Sequence, residues 1–242
     1  MNDVVIQGAQ IYFYIGGIPI TATLVNMWIV MLFVLILCIY LTRGLKTSNI
    51  SKKQVVVELI VKTATNFTIN NMGEKYKSLV PFVSALFALS ALSSLLGVLG
   101  LYSPTSDLSV TIGWSLLVFI MITYTKIKTN KLLGYLKGFT KPIIVLTPFN
   151  IISEIATPVS MAFRHFGSIA SGSVIMTLLY AALGALSSFI LGWLPDPIGS
   201  FPLFQIGLPG VLSIYFDVFS AVLQAFIFCM LTTMYIKSAA EE

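Results

Sequence analysis

Long apolar runs alternate with short polar breaks along this chain, and the runs have the lengths of membrane-crossing helices. The first, Leu24 to Leu41, closes at Arg43 and Lys46. Two more, Leu79 to Leu101 and Val110 to Tyr124, flank the turn YSPTSDLS at Tyr102 to Ser109 and predict a transmembrane hairpin, with Pro81 near its start. From Pro142 the chain is apolar to Trp193, interrupted by Pro148, Asn150, Glu154, Pro158 and Arg164. A helix from Pro158 to Trp193 has a length of about 50 Å, against a hydrocarbon core of about 30 Å, so it must tilt strongly, bend or break in two. The segment LPDPIGSFP, with Pro195, Pro197 and Pro202, reads as a loop. A last run, Phe204 to Tyr235, ends in Lys237, Glu241 and Glu242, with Pro209 and Gly210 delaying its helical start.

Between the first two runs, Thr47 to Lys77 is polar and lysine-bearing. Within it VVVELIVKTATNF places apolar residues at helical spacing, with Lys52, Lys53, Glu58 and Lys62 around them. This pattern predicts an amphipathic helix lying on the membrane surface. A soluble linker helix is the alternative.

Composition agrees. Of the 242 residues 57% are hydrophobic and 10% charged, where a soluble domain carries about 25% charged residues. The predicted fold class is therefore an all-α integral membrane protein: five crossing helices and one surface helix, the last two crossings long and tilted. It forms a single membrane domain, 1–242, without room for a large soluble domain. Its parts are a tail at 1–23, a first span at 24–42, a surface-helix region at 47–77, a hairpin at 79–124 and a tilted helix pair at 142–238.

Charge placement orients these crossings. Twelve of the fourteen basic residues lie in two stretches, Arg43 to Lys77 and Lys126 to Lys141. The N-terminal tail, the 102–109 turn and the 193–209 loop hold no Lys or Arg but do hold Asp3, Asp107 and Asp196. The positive-inside rule then puts both basic stretches and the C-terminus in the cytoplasm and the N-terminus outside, which requires five crossings, the number of apolar runs. Packed into loops in this way, the net charge of +5 does not make a nucleic-acid surface. Cys38 and Cys229 both sit in apolar runs, with no sign of a disulfide framework or metal-ligand company. The N-terminus lacks the basic flank and cleavage site of a removable signal peptide.

One residue breaks the pattern. Arg164, in PVSMAFRHFGSIASG, is the sole Lys or Arg between Lys141 and Lys237. An arginine at membrane depth costs roughly 3 kcal/mol on insertion scales, so it points at a partner charge or lines a polar pathway. Residues three, four and seven away share its helix face: Thr157 and Ser160 before it, Ser168 and Ser171 after it, with Ser153 continuing the row. Small residues also let membrane helices pack closely, but the arginine in the same row favours a functional stripe. Gly167 and Gly172 leave space for a close approach. On the last helix Asp217 and Gln224 stand seven apart, with Ser213 and Ser220 beside them. Asp217 is a candidate for ion handling or for a structural ion pair with Arg164. Gln224 is a candidate of the same kind or an interhelical hydrogen bond. Asn150 and Glu154 either line a wet entrance or satisfy a helix end. His165 projects about 100° away from Arg164 and reads as a packed polar side chain rather than a ligand. Phosphate-loop, zinc-protease and serine-nucleophile signatures are absent, and no inverted repeat of the transporter kind is found. A stand-alone secondary transporter, with Arg164 binding an anionic substrate, stays as the alternative function.

These residues carry a family resemblance. PFNIISEIATPVSMAFRHFGSIASG resembles the segment PxNxxEExxxPxSLxxRLFGNxxAG of ATP synthase subunit a, and LQAFIFCMLTTMYI resembles that family's last-helix motif LQAFIFxxLTxxYI. PTSDLSVTIGWSLLVF and SLLGVLG match further segments, so the resemblance covers most of the chain from Leu79 onward. It implies a non-catalytic stator subunit in a bacterial plasma membrane. Two half-channels there pass protons or sodium ions to and from the carboxylates of a rotating c-ring. Peripheral-stalk b subunits are further partners, and no cofactor is implied. The family's essential arginine falls on Arg164, its last-helix glutamine on Gln224, and the position one heptad earlier on Asp217. Asn150, Glu154, Ser160, Ser168, Ser171, Ser173 and Ser220 are candidates for lining the half-channels. Departures are Ser168 for the usual Asn, His165 for Leu, Ser94 for a common Asn, and Ser173 where some members carry Glu or His.

Overall fold

The computed structural model describes residues 9–47, 50–140, 143–192, 212 and 214–241. The loop of Pro195, Asp196, Pro197 and Pro202 lies outside the described residues, as do Asp3, Lys141, Pro142, Pro209, Gly210 and Ser213, and the side chain of Ser173. The described residues open on a β-hairpin, β1 (Ile11–Ile15) and β2 (Ile18–Thr21), within the stretch that the sequence reads as a tail. Its turn is Gly16–Gly17, both at positive φ (57° and 84°), the backbone a two-residue hairpin turn requires. Among the described residues six α-helices follow: α1 (Ala22–Thr42), α2 (Lys52–Met72), α3 (Val80–Leu95), α4 (Leu108–Gly138), α5 (Thr147–Leu191) and α6 (Ser220–Glu241). A π-helical turn, Ile214–Phe219, leads into α6.

Among the described residues, five helical stretches are long and apolar enough to cross a membrane, and they correspond to the five runs. α2 is not one of them. It starts at Ser51, whose hydroxyl accepts from the Gln54 backbone N–H at 3.3 Å, and stops at Gly73, where φ is +93°. Its buried residues are Gln54, Thr68 and Met72, whereas Val55, Val56, Leu59 and Ile60 are exposed together on one side. Lys52, Glu58 and Lys62 are exposed beside them, so the outer surface of α2 carries apolar and charged residues together, as suits a helix at a membrane surface.

Two boundaries differ from the hydropathy pattern. α4 does not end at Tyr124 but carries on through Lys126 and Lys128, since lysine is a good helix former even where it ends a span. It breaks locally at Lys131, the described non-glycine residue with positive φ (58°), a conformation that costs about 1–3 kcal/mol. α5 starts at Thr147, a full eleven residues before Pro158, and passes through that proline without stopping. Its 45 residues correspond to about 68 Å at 1.5 Å per residue. Of the three options for this helix a break is not the one taken, since the helix is continuous through Pro158 and about twice the hydrocarbon thickness in length.

The core lies where α3, α4, α5 and α6 meet. It comprises Val83, Leu86, Trp114, Val118, Ile122, Met161, Phe228, Cys229 and Ile236, with Met72 from the end of α2. α1 sits at the edge and is tied at both ends: near its close Lys53 of α2 donates to the Tyr40 carbonyl and lies over the Tyr40 ring. Thr23 donates to an Asp107 carboxylate oxygen (3.0 Å), and Asn26 donates to the Tyr102 carbonyl (2.7 Å). The other Asp107 oxygen caps α4 by accepting from the Ser109 N–H at 2.9 Å. Burial, and secondarily the Asp107 carboxylate, push the Tyr102 phenol above its ordinary value. Cys38 is exposed, Cys229 is buried, and both are free thiols.

Candidate functional site

α5 positions its polar row by packing its opposite face. Pro158, Met161, Ala162, His165, Gly172 and Met176 are buried at helical spacing, so Arg164 is turned outward with Ser160 and Ser171, while Thr157 and Ser168 are half-buried. Among the described residues Arg164 makes no hydrogen bond or ion pair. A direct Asp217–Arg164 lock, one of the two readings of Asp217, is therefore not formed. Val159 and Phe163 share the outward side, and Gly167 faces open space, with no atom within 4 Å of a Cβ built there.

His165 points the other way. It is fully buried, with its ring edge-on to Trp114 (5.8 Å) and Phe228 (5.2 Å). Its Nε2 lies 3.3 Å from the Ser90 hydroxyl of α3, while Nδ1 finds no partner among the described residues. This is the packed polar side chain expected from the sequence, and it joins three helices immediately behind Arg164.

Asp217 belongs to the π-helical turn, not to regular α-helix. There the chain approaches α5 closely: a Cβ on Gly172 would sit 3.8 Å from the Phe216 carbonyl oxygen. Asp217 lines a cavity of about 120 Å³ with Ser94, Gly97, Ser103, Ser106, Ile169 and Phe216. That volume is roughly that of a few waters, and the wall offers the two to four polar partners a water needs. Behind the wall Ser94 and Ser103 are each hydrogen-bonded to Thr105 (2.9 and 2.8 Å), and Ser103 donates to the Ser93 carbonyl (2.9 Å). With Ser90, these hydroxyls form a buried polar row from the 102–107 turn down α3 to His165. The sequence reading singled out Ser94 alone, as a departure from the family. Spacings of three and four among Ser90, Ser93 and Ser94 were the available signal for the rest.

Gln224 is buried on α6, one turn before Phe228, and its Nε2 donates to nothing among the described residues. Ser220, a turn earlier, is half-buried. Asn150 and Glu154 are not gathered with Arg164. Asn150 donates to the Phe139 carbonyl at 2.8 Å, satisfying the end of α4. Glu154 pairs with Lys126 at 3.0 Å, their side chains 17% and 16% exposed, and Tyr135 donates to its other oxygen at 3.5 Å. A half-buried pair stands between the near-zero value of exposed pairs and the large cost of breaking a buried one. Lys126→Met should therefore destabilise the α4–α5 junction by about 2 kcal/mol, and Glu154→Gln in the same chain should restore most of it. Thermal unfolding in detergent checks this; equal losses in the single and double variants would rule out the coupling.

Residues 24–237, nearly the whole chain, match the family described as ATP synthase A chain. The chain belongs to this family. ATP synthase subunit a, sodium ion specific, of Propionigenium modestum is 28% identical over 239 residues, covering 92% of this chain and 75% of that protein. ATP synthase subunit a 1 of Crocosphaera subtropica is 32% identical, over 94% of this chain and 90% of its own. ATP synthase subunit a of Legionella pneumophila is also 32% identical, over 96% and 92%. The resemblance drawn from the motifs is thus shown over both segments that carried it. Membership of the ATP synthase A chain family, together with five membrane-length helices, makes this a multi-pass membrane subunit of an ATP synthase.

Proposed function

We propose that this subunit is the stator half of a rotary ion path, passing protons or sodium ions to and from the carboxylates of a rotating c-ring without a catalytic site of its own. The observation that carries this is Arg164: a permanent cation in apolar sequence, exposed on the flank of the folded chain, unpaired among the described residues and held there by a buried opposite face. A guanidinium stays protonated at every accessible pH. A carboxylate brought beside it is held ionised, so an ion cannot step straight from one side of Arg164 to the other and must travel with the ring. The Asp217 cavity, lined by serines and close to the 102–107 turn, is the proposed water-filled entry on the outer side. Ser160, Ser168, Ser171 and Ser220 keep the arginine's approach small and polar. Positive-inside charge placement supports an outside N-terminus and a cytoplasmic C-terminus; the similarity to bacterial subunits supports a bacterial plasma membrane, with peripheral-stalk b subunits completing the stator.

The test is reconstitution. Purification should yield the chain with a ring of small hydrophobic subunits, and liposomes holding the whole complex should make ATP when an ion gradient is imposed. Ion or anion transport by the isolated chain in liposomes, with no ring requirement, would replace this reading with a stand-alone transporter.

Gln224 gives an independent prediction. A buried amide with an unsatisfied N–H costs about 1–3 kcal/mol, so replacing it by an apolar residue of like size relieves a penalty. Gln224→Leu should leave thermal stability unchanged or raised while lowering ion flux per assembled complex. Lower stability with normal flux would make Gln224 a structural residue instead.

A further inference from the structure

We propose that the N-terminal hairpin is a lipid-interface anchor, seated among the headgroups and upper acyl chains where α1 enters the membrane. The inference rests on the chain spanning a bilayer and is independent of its role in ion movement. No charged residue occurs from residue 4 to residue 42, so hairpin and span form one uncharged unit. The register pairs Ile15 with Ile18 and Phe13 with Ile20, which puts these four side chains on one face, while Tyr14, opposite Pro19, lies on the other; a bulge at Tyr12 interrupts the alternation between Ile11 and Phe13. Ile20 alone is buried against the protein; Phe13, Ile15 and Ile18 are 47–65% exposed, and Tyr12 and Tyr14 are 56% and 66% exposed.

A two-stranded hairpin with no further cover is marginal in water, and this one shows apolar side chains on a free face. The hydrocarbon core is no better, because both strand edges would leave N–H and C=O groups without partners. Headgroup depth satisfies both demands. Aliphatic and phenyl groups reach acyl chains, while phenols and strand edges meet water and headgroups, the placement that enriches tyrosine at membrane boundaries. The depth is also fixed. β2 runs directly into α1, the Ala22 N–H bonds the Gln10 carbonyl at 2.8 Å, and Thr23 and Asn26 tie the same end of α1 to the polar 102–107 turn. The hairpin thus starts at the boundary level and has nowhere to go but along it.

Nitroxide labels at Ile15→Cys and, separately, at Tyr14→Cys test this in the whole complex. The background is Cys38→Ser, free of other reactive cysteines, in phosphatidylglycerol–phosphatidylethanolamine liposomes. At Ile15, collisions with dissolved oxygen should exceed those with a water-soluble nickel chelate several-fold, and the ratio should fall at Tyr14. Chelate-dominated collisions at both sites would place the hairpin in water. Suppression of both reagents would show it covered by another protein subunit. Either result overturns the anchor and leaves the ion-path reading untouched.

Discussion

Arg164→Ala is expected to abolish ion-driven ATP synthesis while the complex still assembles. The two halves of this outcome have separate physical causes. Arg164 is exposed on its own subunit and makes no bond to the described residues, so its truncation removes no internal contact, and surface changes of that kind stay within about 0.5 kcal/mol. Its proposed effect lies on a passing carboxylate. Two unit charges about 4 Å apart interact by about 4 kcal/mol at an effective dielectric near 20. At 1.36 kcal/mol per pKa unit, that is roughly three decades in the carboxylate's protonation equilibrium. Without the arginine the carboxylate can take up an ion beside the stator, and ions can then pass between the two water-filled ends without turning the ring. The expected result is therefore synthesis reduced at least about 100-fold, together with a raised passive leak. Both are measured on reconstituted complex normalised to the amount of ring bound. Coupled synthesis at normal rate would remove the arginine from the proposed mechanism.

Asp217→Asn should lower ion flux by about 100-fold, the lower end of the range by which a positioned proton-transfer group accelerates a reaction, with little loss of assembly. Asparagine matches the shape of aspartate, so the packing of the π-helical turn against Gly172 should persist. What it lacks is the ability to ionise, and hence to relay a proton or attract a cation in the cavity shared with Ser94, Ser103 and Ser106. Flux and subunit content measured on the same preparation separate the alternatives. A complex that falls apart, with normal flux in each surviving unit, would make Asp217 a structural pairing residue.

Much of this architecture is legible in the chain because lipid imposes a simple requirement. A span must satisfy its own backbone and be apolar for about 20 residues, so the five membrane-length helices among the described residues all stand out as runs. Arg164 stands out for the same reason, as the residue that violates the requirement. What hydropathy cannot register is helix that continues outside lipid. α4 passes through Lys126 and Lys128, and α5 begins well before Pro158, because helix propensity and apolarity are different properties. The hairpin was missed although IYFYIGGIPIT carries its signal, a Gly-Gly pair between β-prone residues, since uncharged sequence next to a span reads simply as its approach. Glu154 illustrates a third kind of gap. Its partner Lys126 lies 28 positions earlier, and nothing local distinguishes a wet entrance from a tertiary ion pair. His165 was placed correctly, at an angle from Arg164, but its three neighbours, Ser90, Trp114 and Phe228, come from elements that only the folded chain brings together.

The wedging of His165 bears on how a rotor could be followed. Its ring packs edge-on against Trp114 and Phe228, and it is covalently next to the arginine, so the backbone at Arg164 is anchored in the packed core. Only the side chain beyond it, four torsions long and otherwise untethered, is free to swing. As successive carboxylates go by, the tracking would be done by that arm alone, with the helix behind it standing still. In the proposed mechanism a stiff mount with a supple tip would let one stationary charge serve many passing sites without the stator having to deform at each step.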